Sequence, residues 1–167
     1  MTLRMLTVGA LAAGFLAVGA AHAQQQSPAA SPPPPPPAYG APVTTEEAKK
    51  AVAAALAEGK TRLVFAVVDP SGNLVYFEKM DGAPYASSEI SIRKARTSAF
   101  KRPSMAFFEQ MEGGHNYVMT LSPELIASGG GLPLVVDGRI VGAIGVSGSP
   151  SGLLDQTAAE AAVNALK

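Results

Sequence analysis

Six consecutive apolar residues, Leu63 to Val68, lead straight into Asp69-Pro70-Ser71-Gly72-Asn73 and then into a second β-prone stretch, Leu74 to Met80. The first run is too short for a helix, and the five residues after it are strong turn formers. The two runs are therefore predicted to pair as an antiparallel hairpin. Because the first run is apolar at successive positions, both of its faces need cover, which places it centrally in a sheet with helices packed on it. Leu134 to Val136 and Arg139 to Val146 flank Asp137-Gly138, the strongest short hairpin signal in the chain, and predict a second hairpin.

Helices are expected between and around these hairpins. Thr44-Thr45-Glu46-Glu47 is a capping box, in which the Thr44 hydroxyl and the Glu47 carboxylate satisfy free amides at a helix start. Behind it Ala48, Ala51, Val52, Ala55 and Leu56 recur at helical spacing until Gly59. A second helix is predicted from Ser87 to Arg102, stopping at Pro103. Its apolar stripe of Ile92, Ala95 and Ala99 is narrow and mostly small, which allows close approach to a sheet, a neighbouring subunit or a flat ligand. Ser104 to Met111 suggests another short helix, and Glu112-Gly113-Gly114-His115-Asn116 an exposed loop. A final helix is expected after Gly152, with Leu153, Leu154, Thr157, Ala158, Ala161, Ala162 and Leu166 as its apolar face. The order of helix, hairpin, helices, hairpin, helix gives an α+β fold, an antiparallel β-sheet with helices on its faces, and argues against a doubly wound parallel sheet.

The first 42 residues read differently. Met1-Thr2-Leu3-Arg4, an apolar run from Met5 to Ala20, and Ala21-His22-Ala23 make a signal peptide over residues 1–23, with cleavage expected after Ala23. The run falls short of the ~20 apolar residues that span a bilayer, so the alternative of an uncleaved anchor is the weaker one. Gln24 to Pro42 is rich in Gln, Ser, Ala and Pro, with an unbroken proline run from Pro32 to Pro37, and is expected to be a disordered, polyproline II-like linker. Residues 43–167 are then the single folded domain, long enough to bury a core. The 13 acids balance the 13 bases, and loss of Arg4 with the signal leaves one net negative charge, so nothing recruits nucleic acid electrostatically. With no cysteine, disulfides, CxxC zinc sites, thiolate ligands, covalent haem attachment and a lipoprotein anchor are all excluded. The expected location is periplasmic or secreted, with no membrane association after cleavage.

Three motifs in register resemble one family. Val67-Val68-Asp69-Pro70-Ser71-Gly72-Asn73-Leu74 with Met80-Asp81-Gly82-Ala83 is similar to the first hairpin of the GlcG/HbpS-like haem-binding proteins, formerly a domain of unknown function. Ser91-Ile92-Arg93-Lys94-Ala95-Arg96-Thr97-Ser98 resembles their central helix motif. Gly129-Gly130-Gly131-Leu132-Pro133 through Gly142-Ala143-Ile144-Gly145-Val146-Ser147-Gly148 resembles their glycine-rich second hairpin. The resemblance covers about Thr44 to Lys167. It implies a profilin-like α+β fold, frequent assembly into homo-oligomers, and binding of haem in some members. Other members are accessory domains near corrinoid or glycolate metabolism, and members differ in how they hold haem.

The residues supply candidates for such a site. His115 is the only histidine after the signal, and a neutral imidazole in a loop is the best available ligand for haem iron; a plain surface histidine is the alternative. Tyr117 is a second candidate ligand or a ring to stack on the porphyrin, against a role in core or rim. Arg93, Lys94, Arg96, Lys101 and Arg102 place five positive charges on one stretch without an acid among them. Arg93, Arg96 and Lys101 are the propionate candidates, since guanidinium groups hold carboxylates by paired hydrogen bonds. A solvated face, or intersubunit salt bridges to Glu109 and Glu112, explains them equally. Thr97 offers a hydroxyl to a ligand or caps its own backbone.

Other motifs lead nowhere. Ser91-x-x-Lys94 imitates the β-lactamase nucleophile but lacks the companion motifs and the chain length. The glycine runs fit neither the Walker A nor the dinucleotide-binding pattern, and no HExxH or EF-hand occurs. Three hypotheses stand: noncovalent binding of b-type haem, or another small flat ligand, for sequestration, sensing or slow degradation; catalysis using Lys94 or Asp69 for proton transfer; and a cofactor-free oligomeric accessory module. Binding is preferred to catalysis, because no acid/base pair stands out from the structural charges.

Overall fold

The computed structural model describes residues 37–101, 103–106, 109 and 122–167. In chain order the elements are α1 (Thr45–Glu58), β1 (Val64–Val68), β2 (Leu74–Lys79), α2 (Ser87–Lys101), β3 (Gly131–Val136), β4 (Arg139–Ser147) and α3 (Gly152–Asn164). The strands form one sheet in the order β2-β1-β4-β3, and every neighbouring pair is antiparallel. This is the α+β arrangement expected from the hairpin signals. Pro133, which lacks a backbone donor, sits in the edge strand β3.

All five residues of β1 are buried, and their alternation explains the layers. Phe65 and Val67, with Leu134, Ile144 and Val146, face α1 and α3 through Val52, Ala55, Ala158 and Ala162. Ala66 and Val68, with Ala143, face α2 through Ala95 and Ala99. The sheet is thus sandwiched between α1 and α3 on one side and α2 on the other.

Local chemistry sets the ends of the elements. Thr44 Oγ1 accepts from the Glu47 amide at 3.2 Å, and Glu47 Oε2 accepts from the Thr44 amide at 2.8 Å, closing the predicted capping box. The Thr44 amide and hydroxyl hold the Glu47 carboxyl below its ordinary value. In the first hairpin, Asp69 Oδ1 accepts from the amides of Ser71 and Asn73 at 2.8 and 2.9 Å, and Oδ2 accepts from Asn73 Nδ2 at 3.0 Å. Slight burial opposes ionisation of Asp69, but the Asn73 side chain and the turn amides overcome it and lower the carboxyl's pKa. Asp69 is therefore committed to the turn.

The chain joins the domain before Val43. β1 ends at Val68 opposite Ala143, which leaves the first residues of β4 open on that side. Ala38 to Val43 fill the gap: Gly40 N donates to Ile140 O at 2.8 Å, Ile140 N to Ala38 O at 2.8 Å, and Val43 N to Val141 O at 2.7 Å. Tyr39 Oη also donates to Ala99 O at 2.6 Å, tying this strap to α2. The end of the Pro-rich stretch, expected to be spacer through Pro42, is thus part of the fold.

The apolar face expected for the last helix is corrected. Leu153 and Leu154 are 68% and 52% exposed, and Thr157 is exposed. The buried face of α3 is Asp155, Ala158, Ala159 and Ala162, a regular helical series that begins with a charge.

Candidate functional site

The site is built where α2 meets the glycine-rich hairpin. Gly131 of β3 and Gly145 of β4 are cross-strand partners beneath α2. A Cβ on Gly145 would lie 1.9 Å from Ser91 O and 2.6 Å from Ala95 N, and one on Gly131 would lie 2.6 Å from Lys94 O. The helix backbone therefore rests directly on the strands. Of the three surfaces that the small-residue stripe of α2 suited, the sheet is the one it meets.

This seating turns Lys94 inward. Its side chain is 2% exposed, and Nζ donates to Asp155 Oδ2 at 2.7 Å and to Val146 O at 2.9 Å. Asp155 Oδ1 accepts from Ser149 N at 3.0 Å, so one buried ion pair joins α2, β4 and α3. Burial pushes the Lys94 ammonium below its ordinary value, opposed by the hydrogen bond and charge of Asp155. Gly130, at φ +102°, covers the pair; a Cβ there would lie 2.7 Å from Asp155 Cβ and 3.2 Å from Lys94 Nζ.

Ser104 extends the framework. Its hydroxyl accepts from Gly131 N at 2.9 Å and donates to Ser128 O. Above it a cleft of about 320 Å³ opens between Met105, Ala127, Ser128 and Gly129 on one side and Ser151 to Leu153, at the start of α3, on the other. Leu153 forms an exposed rim, and Ser151 Oγ caps α3 by accepting from Leu153 N at 3.2 Å. The lining is mainly apolar with two hydroxyls, in the size range of the smaller ligand clefts.

The residues expected at a site from sequence are placed as follows. Arg93 Nη2 donates to Leu125 O at 2.7 Å, while its Nε is buried with no acceptor among the described residues. Arg96 donates through Nε to Gly72 O at 3.2 Å and pairs through Nη1 with Glu124 at 3.0 Å. Thr97 Oγ1 donates to Arg93 O and accepts from Ile126 N, both at 2.8 Å. Together these three side chains pin residues 124–126, the segment that leads into the Ala127–Gly129 wall of the cleft. Lys94, grouped with them by sequence, is drawn into the interior. Lys101 ends α2, and its side chain, with His115 and Tyr117, lies outside the described residues. Ser91 Oγ donates to Ser88 O at 2.9 Å, a bond within its own helix.

Asp155, Ser104 and Met105 were not singled out in the sequence, and Leu153 was expected on the inner face of the last helix rather than on a cleft rim. Only Asp155 carried a local signal, as the first member of the series with Ala158, Ala159 and Ala162. Among the described residues no cluster of His, Cys, Asp or Glu could hold a metal ion, and no helix is long and apolar enough to cross a membrane.

A four-stranded antiparallel sheet between two helices and one, with a helix seated on a glycine pair beside an apolar-walled cleft, defines a three-layer α+β domain. The model of the family described as haem degrading protein HbpS-like matches residues 43–164, and the chain belongs to that family. It is 39% identical over 82 residues to protein GlcG of Escherichia coli K12, a match that spans 49% of this chain and 61% of GlcG. A double mutant of Streptomyces reticuli HbpS superposes with a TM-score of 0.70 at 29% identity, over 84% of this chain and 99% of that one. PduOC, solved as a heme complex, superposes with a TM-score of 0.69 at 25% identity, over 75% of this chain and 96% of that one.

Proposed function

We propose that this protein is an exported haem-binding protein that holds b-type haem noncovalently, for sequestration, sensing or slow degradation. Membership of the HbpS-like family over residues 43–164 carries the reading. The heme complex of the structural neighbour PduOC supports it.

The cleft at the start of α3 is the place for the ligand. Met105, Ala127 and Leu153 suit an apolar macrocycle, and the Ser128 and Ser151 hydroxyls suit a polar edge. At about 320 Å³ the cleft takes one edge of a porphyrin rather than the whole ring. Haem, when bound, supplies iron for ligand binding or redox chemistry. The protein's own part is to exclude water from one ring edge, supply axial donors and hold the propionates. His115 is the axial candidate, with Tyr117 as its neighbour. Arg93, Arg96 and Lys101 are the propionate candidates; the buried Thr97 hydroxyl is already engaged with Arg93 O and Ile126 N.

Export rests on the signal-like segment 1–23 and places the protein in the periplasm or outside the cell. The exposed Leu74, Phe77 and Phe100 support assembly into homo-oligomers. A hemin titration of the purified protein, followed by visible absorbance beside His115→Ala, tests the binding. Saturable, near-stoichiometric binding with a spectrum altered in the variant is expected. A saturable but unchanged spectrum would remove His115 as ligand. Only weak, unsaturable binding by the wild type would replace haem binding with a cofactor-free accessory role.

A further inference from the structure

We infer that two copies of this chain pair through the open edge of β2, antiparallel and in a register centred on Phe77, so that their two four-stranded sheets run on as one. The inference rests on the homo-oligomer reading above, names the surface for it, and is independent of the haem site. β2 and β3 are the two edges of the sheet, and they differ. β3 carries Pro133, which lacks a backbone donor and blunts its edge. β2 has no proline, and among the described residues β1 is its one strand neighbour. The face of β2 on the α2 side is also bare. Phe77 pairs with Ala66 and Leu74 with Val68, so both lie on the side of the sheet that α2 covers over β1. α2 packs on β1, β4 and β3, and Leu74 and Phe77 stay 47% and 36% exposed.

The backbone fixes which residues can meet. Met80 N donates to Leu63 O at 3.0 Å, so the amide and carbonyl of Met80 face β1. Those of Glu78 and Tyr76 do the same, and those of Phe77 and Lys79 point out from the edge. A two-fold axis at Phe77 lets the two Phe77 residues exchange both backbone hydrogen bonds, and sets Lys79 of each copy opposite Val75 of the other. Side chains choose this register over its neighbours. Tyr76 and Glu78 share the face opposite Phe77, and Tyr76 Oη donates to Glu78 Oε2 at 2.8 Å along the strand. With the axis at Phe77, each Tyr76 lies opposite the other copy's Glu78, so hydroxyl meets carboxylate across the axis as well. The two phenyl rings then meet on the bare face, where cross-strand aromatic pairs are favourable. An axis at Glu78 would set the two carboxylates against each other, which is destabilising. An axis at Tyr76 would carry Lys79 past the end of the facing strand and lose the Tyr76–Glu78 match. The edge is therefore self-complementary in one register, which is why a second copy is the partner it fits.

Light scattering coupled to size-exclusion chromatography gives the mass of the purified protein, and single-cysteine cross-linking reads the register, since the native chain has no cysteine. Wild type is expected as a dimer or a multiple of dimers. Phe77→Glu sets two carboxylates against each other on the axis and should raise the dimer dissociation constant at least about a hundredfold, with far-UV circular dichroism as the folding control. Phe77→Cys should cross-link to itself through a short bis-thiol reagent. Lys79→Cys should not, because its two copies stand four residues apart along the strands, about 13 Å at the rise of a β-strand. Should Phe77→Glu fail to fold, the two cysteine variants decide alone. A wild-type mass in folded Phe77→Glu, or Lys79→Cys cross-linking as readily as Phe77→Cys, would overturn this edge and register while leaving assembly through another surface. A wild type that stays monomeric at the highest concentration reached would remove the homo-oligomer reading itself, and this inference with it.

Discussion

Replacing Lys94 with methionine should be among the most damaging single substitutions in the domain, although lysine is rarely a core residue. The change removes the ammonium from a pocket where Lys94 and Asp155 are 2% and 3% exposed, leaving a carboxylate with Ser149 N–H as its one remaining described donor. Breaking a buried pair from one side costs about 3–5 kcal/mol, because the stranded charge keeps its desolvation penalty. Domains of this size are stable by only about 5–15 kcal/mol, so the loss is roughly a fifth of the total at least, and as much as all of it in a marginal domain. Removing both charges, as Lys94→Met with Asp155→Leu, should return stability to within about 1–2 kcal/mol of wild type, or above it, since a well-packed apolar replacement often matches an ion pair. Urea unfolding of the four members of this double-mutant cycle measures the coupling directly. A single-mutant loss below about 1 kcal/mol, or a double mutant as unstable as the two singles summed, would refute the buried pair. The pH dependence gives a second check. Burial lowers the folded-state pKa of Lys94 below the ordinary 10.5. Between that lowered value and 10.5 the unfolded chain binds more protons, so stability rises with pH across the window; below it both states are protonated and this contribution is flat. The double mutant should lack that rise.

Thr44→Ala should destabilise the domain by about 1 kcal/mol at neutral pH through loss of the α1 cap. Because Thr44 holds the Glu47 carboxyl below its ordinary 4.5, the stability from this box is present above 4.5 and lost as pH falls through the lowered value. Denaturant midpoints of wild type and variant should therefore draw closer in acid without meeting, because the Glu47 N–H to Thr44 Oγ1 bond does not titrate and the Thr44 amide is kept in the alanine variant. Gly145→Ala, which drives a methyl into the backbone carbonyl of Ser91, should cost about 3 kcal/mol or more; a thermal midpoint within a degree or two of wild type would show that α2 does not rest on β4 as described.

Both hairpins, the start of α1 and the double cover of β1 were legible because each is written in neighbouring residues: turn chemistry, a cap, or an unbroken apolar run. The seating of α2 was not, because it depends on Gly131 and Gly145, which become partners only once β3 and β4 pair. α3 shows the limit most clearly. Leu153 and Leu154 looked like its inner face, and Asp155 could not, since nothing near it in sequence neutralises its charge; the partner is Lys94, 61 residues away. Lys94 was equally hidden among Arg93, Arg96, Lys101 and Arg102, whose composition suggests an exposed cationic face. The two misplacements meet at the first turn of one helix, with a charged pair inside and two leucines outside. Apolar burial alone would have arranged that turn the other way round. Natural sequences depart from local rules most often at functional sites, and this departure lies at the wall of the cleft. The stretch where sequence patterning failed thus coincides with the cleft: Leu153 stays exposed on its rim, on a helix start that the Lys94–Asp155 pair holds in position.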